Sequence, residues 1–147
     1  MPTHSETRIM PYSADQMYDL IADIDKYPEF LPWTAGVRMR STKEIPDGQV
    51  VDADLIISFK VFREKFGSRV TLKPGPRTID VEYLDGPFKY LINNWKFAEH
   101  PQGCEVDFHV DFEFKSKILQ KLIGVVFDQA MKRIVGAFEK RAKQLYG

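Results

Sequence analysis

Between Glu105 and Phe114 polar and apolar residues alternate without a break, Glu105, Asp107, His109, Asp111 and Glu113 against Val106, Phe108, Val110, Phe112 and Phe114. Successive side chains of a strand point to opposite faces, so this segment reads as a strand wetted on one side and buried on the other. Two residues later the period changes. From Ser116 to Tyr146 the spacing is helical, at about 100° per residue. Leu119, Ile123, Val126, Phe127, Ala130, Ile134 and Phe138 share one face, and Lys121, Asp128, Lys132, Glu139 and Lys143 share the opposite one. Asp128–Lys132 and Glu139–Lys143 stand four apart in the order that favours ion pairing along a helix. A half-buried strand followed at once by a long amphipathic helix has one economical solution, in which sheet and helix cover each other's apolar face.

The preceding chain supplies the rest of that sheet. His4–Met10 reads as a first strand. Ser13 and Gln16 form a capping-box pair, and Met17, Tyr18, Leu20, Ile21 and Ile24 give the helix they start an apolar face. Asp25–Leu31 reads as a second short helix with Pro28 early in it, ended by Pro32. Strand-like segments follow, separated by Pro46-Asp47-Gly48, Pro74-Gly75-Pro76, Asp85-Gly86-Pro87 and Pro101-Gln102-Gly103. Parity gives the inward series Leu55, Ile57 and Phe59; Phe66, Ser68, Val70 and Leu72; Ile79, Val81 and Tyr83; and Leu91, Asn93, Trp95 and Phe97. The fold class is therefore α+β, a curved antiparallel sheet of about six to seven strands around a long C-terminal helix, with two short helices after the first strand. With 147 residues and no repeat or linker, a single domain over 1–147 is expected.

Charge and composition exclude several classes. The 21 basic and 21 acidic residues cancel, so DNA is not an expected partner. The distribution is uneven, because Lys115–Gly147 carries a net +6 and the rest a net −6. The single cysteine, Cys104, leaves no intramolecular disulfide. The N-terminal residues show no export or organelle signal, and no apolar run approaches spanning length. A cytoplasmic protein is expected, peripheral on the inner membrane if the basic helix touches lipid.

No nucleophile elbow or phosphate-binding glycine loop is present. Cys104 and His109 differ in parity and cannot share a metal on one strand, so His4, His100 and His109 read as surface residues and no metal site is expected. Asp107, Asp111 and Glu113, like Asp52 and Asp54, read as a solvated sheet face rather than as acid–base groups. No catalytic residue is assigned, and the chain is expected not to be an enzyme. Arg69 and Glu64 lie near the apolar series without an assigned face. Asn93 shares the parity of Trp95 and is the inward polar group, either a satisfied core amide or a donor to a bound carbonyl. Eleven Phe residues suit an apolar interior. Trp33, Phe59, Phe66, Tyr83, Phe88, Trp95, Phe97, Phe108 and Phe112 fit a filled core and a lined cavity equally. Gly124 and Gly136 interrupt the last helix, where glycine permits bending or close approach.

Two segments carry a resemblance. Tyr27-Pro28-Glu29-Phe30-Leu31-Pro32-Trp33 resembles the YP-x-F-x-PW segment of coenzyme Q-binding START-domain proteins, and Asp85-Gly86-Pro87-Phe88 with Leu91, Trp95 and Phe97 resembles their DGPF-x-x-L-x-x-x-W-x-F stretch. The chain departs in having Thr34 where the family often has Cys. The resemblance covers nearly the whole chain and points to the polyketide cyclase/dehydrase-like group, which includes bacterial ribosome-association toxins. It implies a helix-grip (START-like) domain with a cavity between sheet and helix. The implied cargo is ubiquinone or a related polyisoprenoid, held as a ligand with no resident cofactor, in support of respiratory electron transfer. The cavity wall is then Trp33, Leu55, Ile57, Phe59, Tyr83, Phe88, Asn93, Trp95, Phe97, Phe108 and Val110, faced by Ile123, Val126, Phe127 and Ile134 from the helix. Alternatives implied by the same group are an inhibitor that binds the large ribosomal subunit and a cyclase- or dehydratase-like enzyme.

Overall fold

The computed structural model describes residues 3–59 and 62–147, with the side chains of Phe59 and Phe62 outside the described set. The chain runs β1 (Thr3–Met10), α1 (Ala14–Ala22), a 3-10 helix (Ile24–Glu29), β2 (Thr34–Ile45), β3 (Gly48–Phe59), β4 (Phe62–Lys73), β5 (Thr78–Asp85), β6 (Phe88–His100), β7 (Gly103–Phe114) and α2 (Lys117–Tyr146). The seven strands form one antiparallel sheet in the order β1-β7-β6-β5-β4-β3-β2. Each neighbour from β2 to β7 is a hairpin partner, while β1 closes on β7 with His4 opposite Val110 and Met10 opposite Cys104. The curved sheet grips α2 in the helix-grip arrangement. Sheet, α1 and α2 share one apolar core.

Local chemistry accounts for these elements. Ser13 Oγ accepts from the Gln16 backbone N–H and Gln16 Oε1 accepts from the Ser13 N–H, both at 3.0 Å, so the capping box starts α1. Ser116 caps α2 through the Leu119 N–H. β7 keeps its alternation throughout, every even residue from Cys104 to Phe114 being buried. Gly86, at φ 137°, breaks the chain between β5 and β6; a Cβ there would lie 2.7 Å from the Phe66 side chain.

Register shifts bend the sheet. One lies in β2, where Met39 faces Ala53 and Ser41 faces Asp52, leaving Arg40 unpaired. The bulge swings the Arg40 guanidinium over Gly67, where a Cβ would come within 2.6 Å of its nitrogen. There it pairs with Asp54 and, at 3.1 Å, with Asp85. Asp54 is only 2% exposed, against the expectation of a solvated carboxylate, because Arg40 lies over it. Asp52 does lie on the wetter face, in a two-pronged pair with Arg69 at 2.9 and 3.0 Å.

Other expectations are corrected. The second short helix is a 3-10 turn over Ile24–Glu29 with Pro28 near its end; its first bond runs from the Lys26 N–H to the Asp23 carbonyl. His4 is buried rather than on the surface, because its strand position faces Val110 and lies under Phe127, with ring centroids 6.3 Å apart. Neither expected intrahelical ion pair of α2 forms among the described residues; Asp128 instead lies 3.6 Å from His4 Nδ1. Gly124 and Gly136 meet nothing within 4 Å, so neither marks a close approach.

Candidate functional site: an apolar cavity under the last helix

The sheet curls away from α2 over part of their shared length and leaves a cavity of about 260 Å³. Leu55 and Ile57 of β3, Phe66, Ser68 and Val70 of β4 and Ile79 and Val81 of β5 form one side. β6 and β7 contribute Phe88, Leu91, Asn93, Trp95, Phe108, Val110, Phe112 and Phe114. Leu119, Leu122, Ile123, Ala130, Met131, Ile134 and Phe138 of α2 close it from above. The end nearest the helix C-terminus is sealed by aromatic contacts. Tyr27 and Phe30 both meet Phe138 edge-on at 5.4 Å, and Arg141 pairs with Glu29 at 2.8 Å while lying over the Phe30 ring. Two of the lining residues, Glu64 and Leu122, are exposed and mark its mouth. Arg133 of α2 lies over the ring of Trp33, which also lines the cavity, 5.5 Å from its centroid.

The few polar groups of the wall are held by the protein itself. Asn93 Nδ2 donates to the His109 carbonyl at 2.9 Å, and Asn93 Oδ1 accepts from Trp95 Nε1 at 3.1 Å. The inward amide thus orients Trp95. Ser68 Oγ donates to the Ala53 carbonyl at 3.4 Å, and the Tyr27 hydroxyl donates to the Ile21 carbonyl. Burial, with Asp23 nearby, pushes the Tyr27 hydroxyl above its ordinary pKa, so it stays protonated. Among the described residues Glu64, at the exposed rim, is the one carboxylate of the lining, and no histidine or cysteine lines it. Cys104 is fully buried elsewhere in the core, its thiol pushed up to about 11 first by burial and then by Glu99. Such a lining suits holding an apolar molecule; proton transfer needs an acid and a base facing the same space.

Of the wall expected from sequence, Trp33, Leu55, Ile57, Phe88, Asn93, Trp95, Phe108, Val110, Ile123 and Ile134 line the cavity. The Phe59 side chain lies outside the described residues. Four others lie off the wall. Tyr83 sits behind Phe88, edge-on at 5.6 Å, and accepts its backbone N–H at 3.1 Å. Phe97 has the right parity but lies where α1 covers the sheet, edge-on to Tyr18 at 5.8 Å. Phe127 is buried against Phe112, 5.2 Å away, and Val126 is half-buried without lining the cavity. Sequence parity also marked Phe66, Ser68, Val70, Ile79, Val81 and Leu91 as inward without assigning them to the site. Tyr27, Leu31, Leu122 and Met131 were missed; the only signal for Leu122 is its doublet with Ile123, which lays apolar groups on two helix faces. Asp107 and Asp111 are on the outer face, accepting from Thr7 at 2.7 Å and Thr3 at 3.1 Å, and Glu113 pairs with Lys89 at 2.8 Å.

A seven-stranded sheet gripping a long helix over an apolar cavity defines a helix-grip, START-like protein. Residues 10–139 match the family described as "Polyketide cyclase / dehydrase and lipid transport", and the chain belongs to it. It is 40% identical to the "Ribosome association toxin RatA" of Rickettsia prowazekii, with 99% of each chain covered. It is 34% identical to the mitochondrial "Coenzyme Q-binding protein COQ10 homolog B" of Xenopus laevis, over 98% of this chain and 59% of that one. An 18 kDa protein of Caulobacter crescentus, solved in solution, superposes with a TM-score of 0.84 at 38% identity, covering 100% of this chain and 99% of that one.

Proposed function

We propose that this protein binds a hydrophobic lipid, ubiquinone or a related polyisoprenoid, as a carrier that supports respiratory electron transfer, and that it is not a catalyst. The observation that supports this is the cavity: apolar on every wall, with its interior hydroxyls and amide already bonded to the protein. Apolar cavities of this kind stay dry and take up apolar molecules. The relative named as coenzyme Q-binding supplies the cargo class. On this reading residues 1–147 act as one lipid-binding domain in the cytoplasm, meeting the inner membrane to load and unload, with ubiquinone as cargo rather than cofactor.

A second reading is association with the large ribosomal subunit, favoured by the name of the 40% identical relative and the net +6 of the last 33 residues. A cyclase- or dehydratase-like activity, which the family description includes, finds no acid–base pair facing the cavity among the described residues. Titration of a short-chain ubiquinone against the fluorescence of Trp33 and Trp95, run beside sedimentation with ribosomal subunits, separates the first two. Saturable quenching with no co-sedimentation supports the carrier; co-sedimentation without quenching supports the ribosomal reading and overturns ours.

A further inference from the structure

We propose that the first ten residues of α2 form a membrane-docking surface that fits a bilayer bearing anionic headgroups; the proposal rests on the lipid-carrier reading and identifies the surface through which cargo would pass. The helix begins Lys117-Ile118-Leu119-Gln120-Lys121-Leu122-Ile123-Gly124-Val125-Val126. Its apolar residues come as adjacent doublets, so two helix faces are apolar rather than one. Leu119 of the first pair and both members of the second, Leu122 and Ile123, line the cavity. Ile118 and Val125 turn outward, and Leu122 stays part in solvent at the cavity's edge. Ile118 is 81% exposed, Val125 82% and Leu122 42%. The buried residues of α2 all lie at Phe127 and beyond. An apolar helix face left in water calls for a covering partner.

The charge around the ridge selects the partner. Between Lys115 and Phe127 there are three lysines, at 115, 117 and 121, and no acidic residue. Lys117 and Lys121 line a shallow groove beside Val125, which also holds Asp128 and Lys89, the latter paired with Glu113 at 2.8 Å. Apolar side chains framed by lysines are the composition of a helix lying in the headgroup region of an anionic bilayer. A second copy of the chain fits less well, since a two-fold contact through the ridge would bring the same lysines of both copies together. The ridge is also continuous with the cavity, because Leu122 belongs to both. At about 260 Å³ the cavity lies just below the ~300–1,000 Å³ range of ligand pockets, so a long isoprenoid tail leaves by the mouth, beside this ridge.

The test is flotation of the full chain with phosphatidylcholine vesicles, with and without phosphatidylglycerol. The parent should float with the anionic vesicles and less as salt rises. I118Q/V125Q should lower partitioning about tenfold or more, while thermal stability and short-chain quinone binding in solution stay as in the parent, since neither residue lines the cavity. Ile118→Trp should show a blue-shifted emission on anionic vesicles. Flotation of I118Q/V125Q equal to the parent, or an unshifted Ile118→Trp spectrum, overturns the proposal. So does a concentration-dependent dimer that I118Q/V125Q abolishes, which would assign the ridge to a second copy. Vesicle binding by a protein that takes no quinone overturns the carrier reading and leaves the docking surface standing.

Discussion

Ala130→Phe asks whether the space under α2 is empty. Ala130 is buried on the helix face that closes the cavity. An apolar cavity of ~150 Å³ accepts one benzene ring, so about 260 Å³ has room for the ring this substitution adds. Voids cost roughly 24 cal/mol per Å³, which for this volume is on the order of 6 kcal/mol, and a ring filling about a third of it recovers up to ~2 kcal/mol. In a filled core the same change is overpacking and costs ~1–3 kcal/mol. The two cases therefore differ in sign. At roughly 4 °C per kcal/mol for a chain of this length, thermal unfolding should show a melting temperature unchanged or raised by up to about 8 °C. The ring would occupy the space a quinone needs, so quenching of Trp33 and Trp95 by short-chain ubiquinone should disappear. A melting temperature lowered by more than ~4 °C, with quinone binding unchanged, would refute the reasoning.

Three further outcomes are expected. Asn93→Leu removes the bonds to the His109 carbonyl and the Trp95 indole; leaving those groups unpaired should cost ~1–3 kcal/mol, read by urea unfolding, with a shift in Trp95 emission. Hydrogen bonds from Arg69 and Arg40 hold Asp52 and Asp54 below the usual carboxylate range. Their contribution to stability is full above the unfolded value of about 3.9 and is lost as pH falls through the lowered folded values, so D52N/D54N should flatten the acid limb of stability measured between pH 2 and 5; an unchanged slope would contradict the pairing. Cys104, its thiol raised to about 11 and buried, should react with a thiol reagent at pH 8 only as the protein unfolds, and stoichiometric labelling of the folded protein within seconds would contradict its placement.

Period-two and helical patterns made most of the fold legible. β7 and α2 could be placed to within two residues because their periods are unbroken. Of the ten expected wall residues that line the cavity, strand parity supplied Leu55, Ile57, Asn93, Trp95, Phe108 and Val110, the helical period Ile123 and Ile134, and the family-like segments Trp33 and Phe88. What parity cannot report is where along a strand the covering element changes. Phe97 has the same parity as Trp95, yet α1 covers the one and the cavity opens over the other. Bulges are equally silent in the pattern. Asp54 reads as solvated until the extra residue in β2 turns Arg40 over it. His4 reads as a surface residue because β1 is an edge strand with polar residues on both faces, and only the docking of Phe127 buries it. The outward apolar ridge was hidden in plain composition, since Ile118-Leu119 and Leu122-Ile123 read as generic core until the helix's rotation is known.

Mass spectrometry of an organic extract of the purified protein tests the central claim most directly. The account predicts an isoprenoid quinone or a related polyisoprenoid approaching one molecule per chain, and its absence from an extract of the Ala130→Phe variant. An extract with no such lipid, from a protein that also fails to bind added short-chain ubiquinone, would contradict it.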